Sequence, residues 1–193
     1  LVPKVLYKNK KPYFFVMEYF DEKIFHIWKS KLLNNEIDYK FAISVSKYLC
    51  KIHNNFYNKV SILRKFNNMK VFEELRIKPY IKNLIMNHND LKDQLVGVSK
   101  SLSEKKITLI HGDISPKNIL IKNDKPIFLD AECATYGDPA FDFAFCLNHF
   151  ILKKIILKNS NKILKKSFDN FIKSYLSEMK WESSTIFEKR VAK

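Results

Sequence analysis

A chain of 193 residues with 46% hydrophobic and 14% aromatic content is long enough to bury a sizeable core. It has no uninterrupted apolar run near the ~18–20 residues of a membrane span, which argues against an integral membrane class. Its formal charge of +15 invites a nucleic-acid reading, yet only three of the 35 basic residues are arginine (Arg64, Arg76 and Arg190) and the lysines are scattered. Arginine is the usual choice for phosphate and base-edge contacts, so nucleic-acid binding ranks last among the function classes considered. Cys50, Cys133 and Cys146 share no ligand spacing and cannot all pair, as expected of a reduced, cytoplasmic protein. Lys4, Lys8, Lys10 and Lys11 break up the N-terminal apolar residues, so no signal-peptide layout is present. A first residue of Leu rather than Met suggests an incomplete or processed chain.

In chain order, Val2–Tyr7 and Tyr13–Met17 read as two strands of a hairpin, with Lys8–Pro12 as the turn. Glu18-Tyr19-Phe20 leads into a polar break at Asp21–Lys23. Ile24–Leu33 is predicted as a helix closed by Asn34-Asn35. Asp38–Phe56 carries Phe41, Val45, Tyr48, Leu49 and Ile52 at three- and four-residue steps, an amphipathic helix with His53 on or beside its buried stripe. His53 is expected to be a packed or hydrogen-bonded core residue. Phe66–Met86 is helical in pattern but broken by Pro79, and Leu91–Leu102 is a further helix interrupted by Gly97.

Ile107–Ile110 is a short β-branched run that delivers the chain to His111. Ile119–Ile121 and Ile127–Leu129 are brief strands joined by Lys122–Pro126, where Asn123-Asp124 suits a tight turn. Ala140–Leu157, apolar on nearly every face as far as Leu147, predicts a helix buried in a larger α-rich body. Ser167–Glu178 is an amphipathic helix, and Trp181–Lys193 begins another.

The chemistry concentrates in LIHGDISPKNILIKNDKPIFLDAECATYGDPAFD, residues 109–142. Asp113, in a loop after a short strand, is placed to accept a hydroxyl proton. Asn118, five positions on, offers a neutral oxygen and Asp130 an anionic one, a ligand pair that suits Mg²⁺, which takes few protein ligands and keeps water and phosphate oxygens. Protein kinases space base and metal-binding amide in the same way. The competing reading makes His111 a loop residue, Asp113 an Asx-turn former and Asn118 a turn residue. His111, between Ile110 and Gly112, is expected to fix loop shape rather than move protons.

His111-Gly112-Asp113-Ile114-Ser115-Pro116-Lys117-Asn118, Phe128-Leu129-Asp130-Ala131-Glu132 and Gly137-Asp138-Pro139-Ala140-Phe141-Asp142 together resemble the aminoglycoside phosphotransferase family. That family is related to choline, homoserine and fructosamine kinases and has a protein-kinase-like fold. The resemblance implies an α+β, mostly α chain: a kinase-like C-lobe (21–193) carrying the catalytic loop, and a remnant of N-lobe strands and hinge (1–20). It implies Asp113 as catalytic base, Asn118 and Asp130 as Mg²⁺ ligands, Asp142 as a brace under the loop and Asp138 as a support of the preceding turn. It also implies that backbone groups of Glu18, Tyr19 and Phe20 meet the adenine of ATP or another nucleoside triphosphate.

Departures from the family pattern are plain. Gly97, Gly112 and Gly137 are the only glycines, so no glycine-rich loop covers the phosphates. No strand lysine precedes the hinge, Lys4 after Pro3 being the nearest. The expectation is therefore an ATP- and Mg²⁺-dependent phosphotransferase acting on a hydroxyl of a small molecule, incomplete and of poor turnover as it stands. The alternatives are a non-catalytic kinase-like binding module and a basic nucleic-acid binder. A polycationic aminoglycoside would want an acidic pocket, whereas lysine dominates the segments expected to form it, so a small hydroxylated metabolite is preferred.

Overall fold

The computed structural model describes residues 2–157 and 160–192. Strands β1 (Val5–Lys10) and β2 (Tyr13–Met17) pair antiparallel as a hairpin. Its turn is narrower than the polar run predicts. Lys8, Asn9 and Lys10 pair with Phe15, Phe14 and Tyr13 inside the ladder, which leaves Lys11-Pro12 as the turn. Val5, Leu6, Tyr13 and Phe15 are all more than half exposed, so both faces of this ribbon lack cover.

The helix expected over Ile24–Leu33 is shorter than predicted. His26–Ile27 form β3, which pairs with β5 (Ile119–Lys122) through His26↔Ile121 and Ile27↔Leu120, and only Trp28–Leu33 are helical (α1). A ladder to a distant strand overrides the local helical pattern. Helix α2 (Tyr39–Phe56) matches its prediction, with the Asp38 carboxylate accepting from the Lys40 N–H at 2.8 Å as an N-cap. It buries Phe41, Val45, Leu49 and His53 along one stripe.

After α3 (Val60–Lys65) and α4 (Met69–Phe72), the chain does not break at Pro79. It continues as a widened π-helical run over Glu73–Lys82 and then α5 (Asn83–Asn87). Such runs are rare and concentrate at functional sites; this one carries Arg76. Helix α6 (Lys92–Glu104) accommodates Gly97, around which nothing approaches within 4 Å.

Strand β4 (Thr108–Ile110) pairs with a strand that the sequence pattern did not show, β7 (Thr135–Gly137). Strand β6 (Lys125–Phe128) forms the expected hairpin with β5, and Asn123 and Asp124 both sit at positive φ (46° and 59°), as a type I′ turn requires. Helix α7 (Pro139–Ile156) is as predicted. Helix α8 (Asn161–Glu178) starts earlier than the expected Ser167, and α9 spans Ser184–Val191. Lys193, the expected end of the last helix, lies outside the described residues.

The main core joins α2, α7, α8 and α9 through an aromatic cluster. The Phe143 and Tyr175 rings lie 4.6 Å apart, Tyr175 stacks on Phe187 at 5.4 Å, and Trp28 meets Phe150 edge-on at 5.6 Å. Cys50, Cys133 and Cys146 are free and buried, and burial pushes their thiols up, so they behave as small hydrophobes. The fold is α+β and mostly α.

Candidate active site

The chain leaves β4 into a loop whose shape is set from beneath. Asp142, one turn into α7 and fully buried, accepts two backbone N–H groups: His111 to Oδ2 at 2.7 Å and Gly112 to Oδ1 at 2.9 Å. Behind it, His53 Nε2 lies 3.3 Å from the same Oδ2, and His53 Nδ1 lies 2.5 Å from the Tyr175 hydroxyl. Burial raises the Tyr175 phenol well above its ordinary range, so it stays protonated and donates to Nδ1, and Nε2–H donates to Asp142. Burial alone would raise the Asp142 carboxyl; the hydrogen bond from His53, with the His111 contacts, outweighs it and holds the group below the usual carboxylate range. Gly112 has φ +79°, and a Cβ there would meet the Cys133 carbonyl oxygen at 2.8 Å, so both conformation and space demand glycine.

His111 lies in the loop itself. Its Nδ1 accepts the Asp113 N–H at 3.2 Å, and burial lowers its pKa against the pull of Asp142 and Asp113, which keeps the ring neutral. Asp138 caps α7 by accepting from the Ala140 N–H at 2.9 Å, and its other oxygen lies 2.8 Å from Arg190 Nε, tying α9 to this turn.

Asp113 is 4% exposed. Its Oδ2 receives Arg76 Nη2 at 2.8 Å and has Lys117 Nζ at 3.2 Å, while Arg76 Nε binds the Gly112 carbonyl at 2.7 Å. Arg76 thus clamps backbone and carboxylate together. Asn118 turns its Nδ2 to the Asp113 carbonyl at 3.3 Å, so its Oδ1 is left for another partner. The Leu129 N–H binds the Asn118 carbonyl at 2.8 Å, so the residue before Asp130 lies opposite Asn118. Asp130 adopts the left-handed conformation (φ 61°), uncommon outside glycine though tolerated by Asp. Ser115 is buried with its hydroxyl unpartnered among the described residues.

No three His, Cys, Asp or Glu side chains among the described residues converge as a metal cage. One amide oxygen plus one carboxylate is the sparse oxygen set that Mg²⁺ accepts, so the donor chemistry fits that ion. In the expected hinge, the Glu18 N–H is committed to the Lys4 carbonyl at 2.8 Å, and no such bond engages the Tyr19 or Phe20 N–H. Phe20 packs on Phe25 at 4.8 Å.

Residues 2–154 match the model of the phosphotransferase enzyme family. The chain belongs to that family. A probable bifunctional tRNA threonylcarbamoyladenosine biosynthesis protein of Methanobrevibacter smithii is 31% identical over 83 residues, which are 43% of this chain and 15% of that protein. The phosphotransferase chain therefore spans a small part of that curated relative. Among solved structures, an ADP-bound aminoglycoside phosphotransferase APH(2'')-Ib is 17% identical with a TM-score of 0.42, over 99% of this chain and 73% of that one. A streptomycin–ATP–APH(2")-IIa ternary complex is 18% identical with a TM-score of 0.44, over 97% and 75%.

Several residues at this phosphotransferase-family site were not singled out by sequence reasoning. Arg76 is the clearest, and its signal was rarity: an arginine retained among so many lysines is doing something lysine does not. Tyr175 carries no local signal at all. His149, on α7, is pushed down to about 4, first by burial and then by Lys153, against the pull of Asp113. Its folded pKa lies below its ordinary 6.5, so the neutral ring contributes stability that is whole above pH 6.5 and drains as pH falls toward 4. Replacing His149 by Phe should therefore flatten the loss of urea midpoint across that window; an unchanged slope would contradict the assignment.

Proposed function

We propose that this chain transfers the γ-phosphoryl group of ATP, or of another nucleoside triphosphate, to a hydroxyl of a small molecule. What supports the reading is one loop on a braced support: Asp113 clamped by Arg76, Asn118 with only its amide nitrogen turned to the Asp113 carbonyl, and Asp130 directly after Leu129, whose N–H bonds the Asn118 carbonyl. In the transfer, Asp113 accepts the acceptor's O–H proton as that oxygen bonds to the γ-phosphorus. The bond from that phosphorus to the leaving oxygen breaks, and the nucleoside diphosphate departs with the electron pair. Asn118 and Asp130 would hold Mg²⁺, which supplies neutralisation of phosphate charge. Asp142, His111 and Asp138 hold the loop and the turn that carry these groups. Tyr19 and Phe20 offer backbone to the adenine ring at a hinge between residues 1–20, as N-lobe strands, and 21–193, as C-lobe.

The β1–β2 hairpin contains no glycine, so within these residues we assign the nucleotide grip to the metal-binding pair and the hinge. No helix among the described residues is long and apolar enough to cross a membrane. We place the enzyme in the cytoplasm, where three free thiols stay reduced.

Calorimetric titration of ATP with and without Mg²⁺ tests this directly. Binding should require the metal and weaken about tenfold or more in Asp130→Ala, in line with the loss of a charged ligand, with the fold retained by circular dichroism. Binding indifferent to both chelator and substitution would sink the reading.

A further inference from the structure

Two cations meet at one oxygen of Asp113. Arg76 Nη2 reaches Oδ2 at 2.8 Å, and Lys117 Nζ lies 3.2 Å from the same atom. They are held very differently. The Arg76 side chain is 10% exposed, and its other nitrogens bond the Gly112 and Leu75 carbonyls. The Lys117 side chain is 56% exposed, and Asp113 is the only partner of its ammonium among the described residues. An ion pair so open to solvent contributes little to stability. Arg76, the fixed cation, already offsets the carboxylate, so the Lys117 charge is in excess and free to serve another anion.

Its position says which anion. Lys117 is the middle residue of the short turn Pro116–Asn118, in which its two neighbours are buried. The Asn118 N–H bonds the Ser115 carbonyl at 2.9 Å and pins the backbone there. The lysine stem therefore rises from a fixed point between the base, four residues before it, and the metal-binding amide, one residue after it. A hydroxyl that gives its proton to Asp113 lies about 2.7 Å from the carboxylate. An attacking oxygen in a reactive pose lies about 3–3.5 Å from the atom that it attacks. The γ-phosphorus is thus within roughly 6 Å of Asp113, a radius inside which the Lys117 ammonium already stands.

We propose that Lys117 is a catalytic residue of this phosphotransferase-family site: its ammonium leaves Asp113 when a nucleoside triphosphate binds, and donates N–H bonds to the non-bridging oxygens of the γ-phosphoryl group. This rests on the phosphotransferase reading and adds a cation of the loop itself to the grip of the hinge and the metal-binding pair. No bond to Lys117 forms or breaks, and its protons stay on nitrogen. Asp113 loses its charge as it takes the acceptor's proton, so its pull on Lys117 weakens while the transferring group still carries charge on those oxygens. A nucleoside diphosphate lacks the group and gains nothing from Lys117.

Calorimetric titration of the full-length protein with ATP and, separately, with ADP, both at saturating Mg²⁺, tests this without turnover. Wild type should bind ATP more tightly than ADP. Lys117→Met should weaken ATP binding by about 10- to 100-fold, the range for losing a hydrogen bond to a charged group, and leave ADP binding unchanged. Lys117→Arg, which keeps the charge, should keep most of the preference for ATP. No such preference in wild type, one that survives in Lys117→Met, an arginine variant no better than the methionine one, or ATP and ADP affinities that fall together would each overturn the assignment and leave the phosphotransferase reading standing. Failure of wild type to bind either nucleotide would instead strike that reading, and the role of Lys117 with it.

Discussion

Asp113→Asn in the full-length protein is expected to lower turnover by about 10²- to 10⁴-fold, the range associated with loss of a positioned general base, while ATP–Mg²⁺ affinity stays near wild type. The amide keeps the volume of the carboxylate and an oxygen for the Arg76 guanidinium, which lies 2.8 Å away. It takes no proton from a hydroxyl. The loop should stay in place, because its backbone is held by Asp142 and Arg76 independently of the Asp113 charge. The signature is a fall in kcat and kcat/KM together, since what is lost acts in the transition state and not in ground-state binding. Steady-state phosphoryl transfer combined with nucleotide calorimetry provides the check. Near-normal turnover would remove Asp113 from the role of base.

Asp142→Asn should be the most damaging conservative change for stability, at about 3–5 kcal/mol, the usual range for breaking a buried charged network from one side. The carboxylate accepts from two backbone N–H groups and from His53, and it is wholly buried. An amide accepts on one oxygen only, and its NH₂ would face another donor. The native carboxyl is held below its ordinary pKa. Its stabilising contribution is thus whole above the unfolded value of roughly 3.9 and is lost as pH falls through the lower folded value. The variant should show a much lower urea midpoint at neutral pH and a shallower loss of stability under acid. A midpoint equal to wild type would show that the loop does not depend on this brace.

Much of the site was legible because its chemistry is local. His111 through Asn118 is one continuous loop, and the Asn123-Asp124 turn dictates the hairpin that returns Asp130 to it. The Asp38 cap and the apolar steps after it likewise declared α2. What was hidden depends on partners far along the chain. His26–Ile27 look helical until β5 supplies a ladder, and β7 is a strand because β4 pairs with it. The π-helical widening through Pro79 presents Arg76, and no periodicity rule predicts that. His53 was read as a core residue, which it is. Its contacts with Tyr175 and Asp142 became visible only once α2, α7 and α8 were packed together.

That last contact bears on when the proposed active site takes shape. The partners of His53 lie 122 and 89 residues away in the chain, and contacts of such separation are slow to close. During synthesis the loop emerges before either partner, and Tyr175 comes last. A nascent chain that stops short of α8 holds every residue of the phosphoryl-transfer loop without the strut that shapes it. Catalytic competence should therefore switch on with completion of the C-terminal helices and vanish with global unfolding, which makes turnover a sensitive clock for the folding of the whole domain.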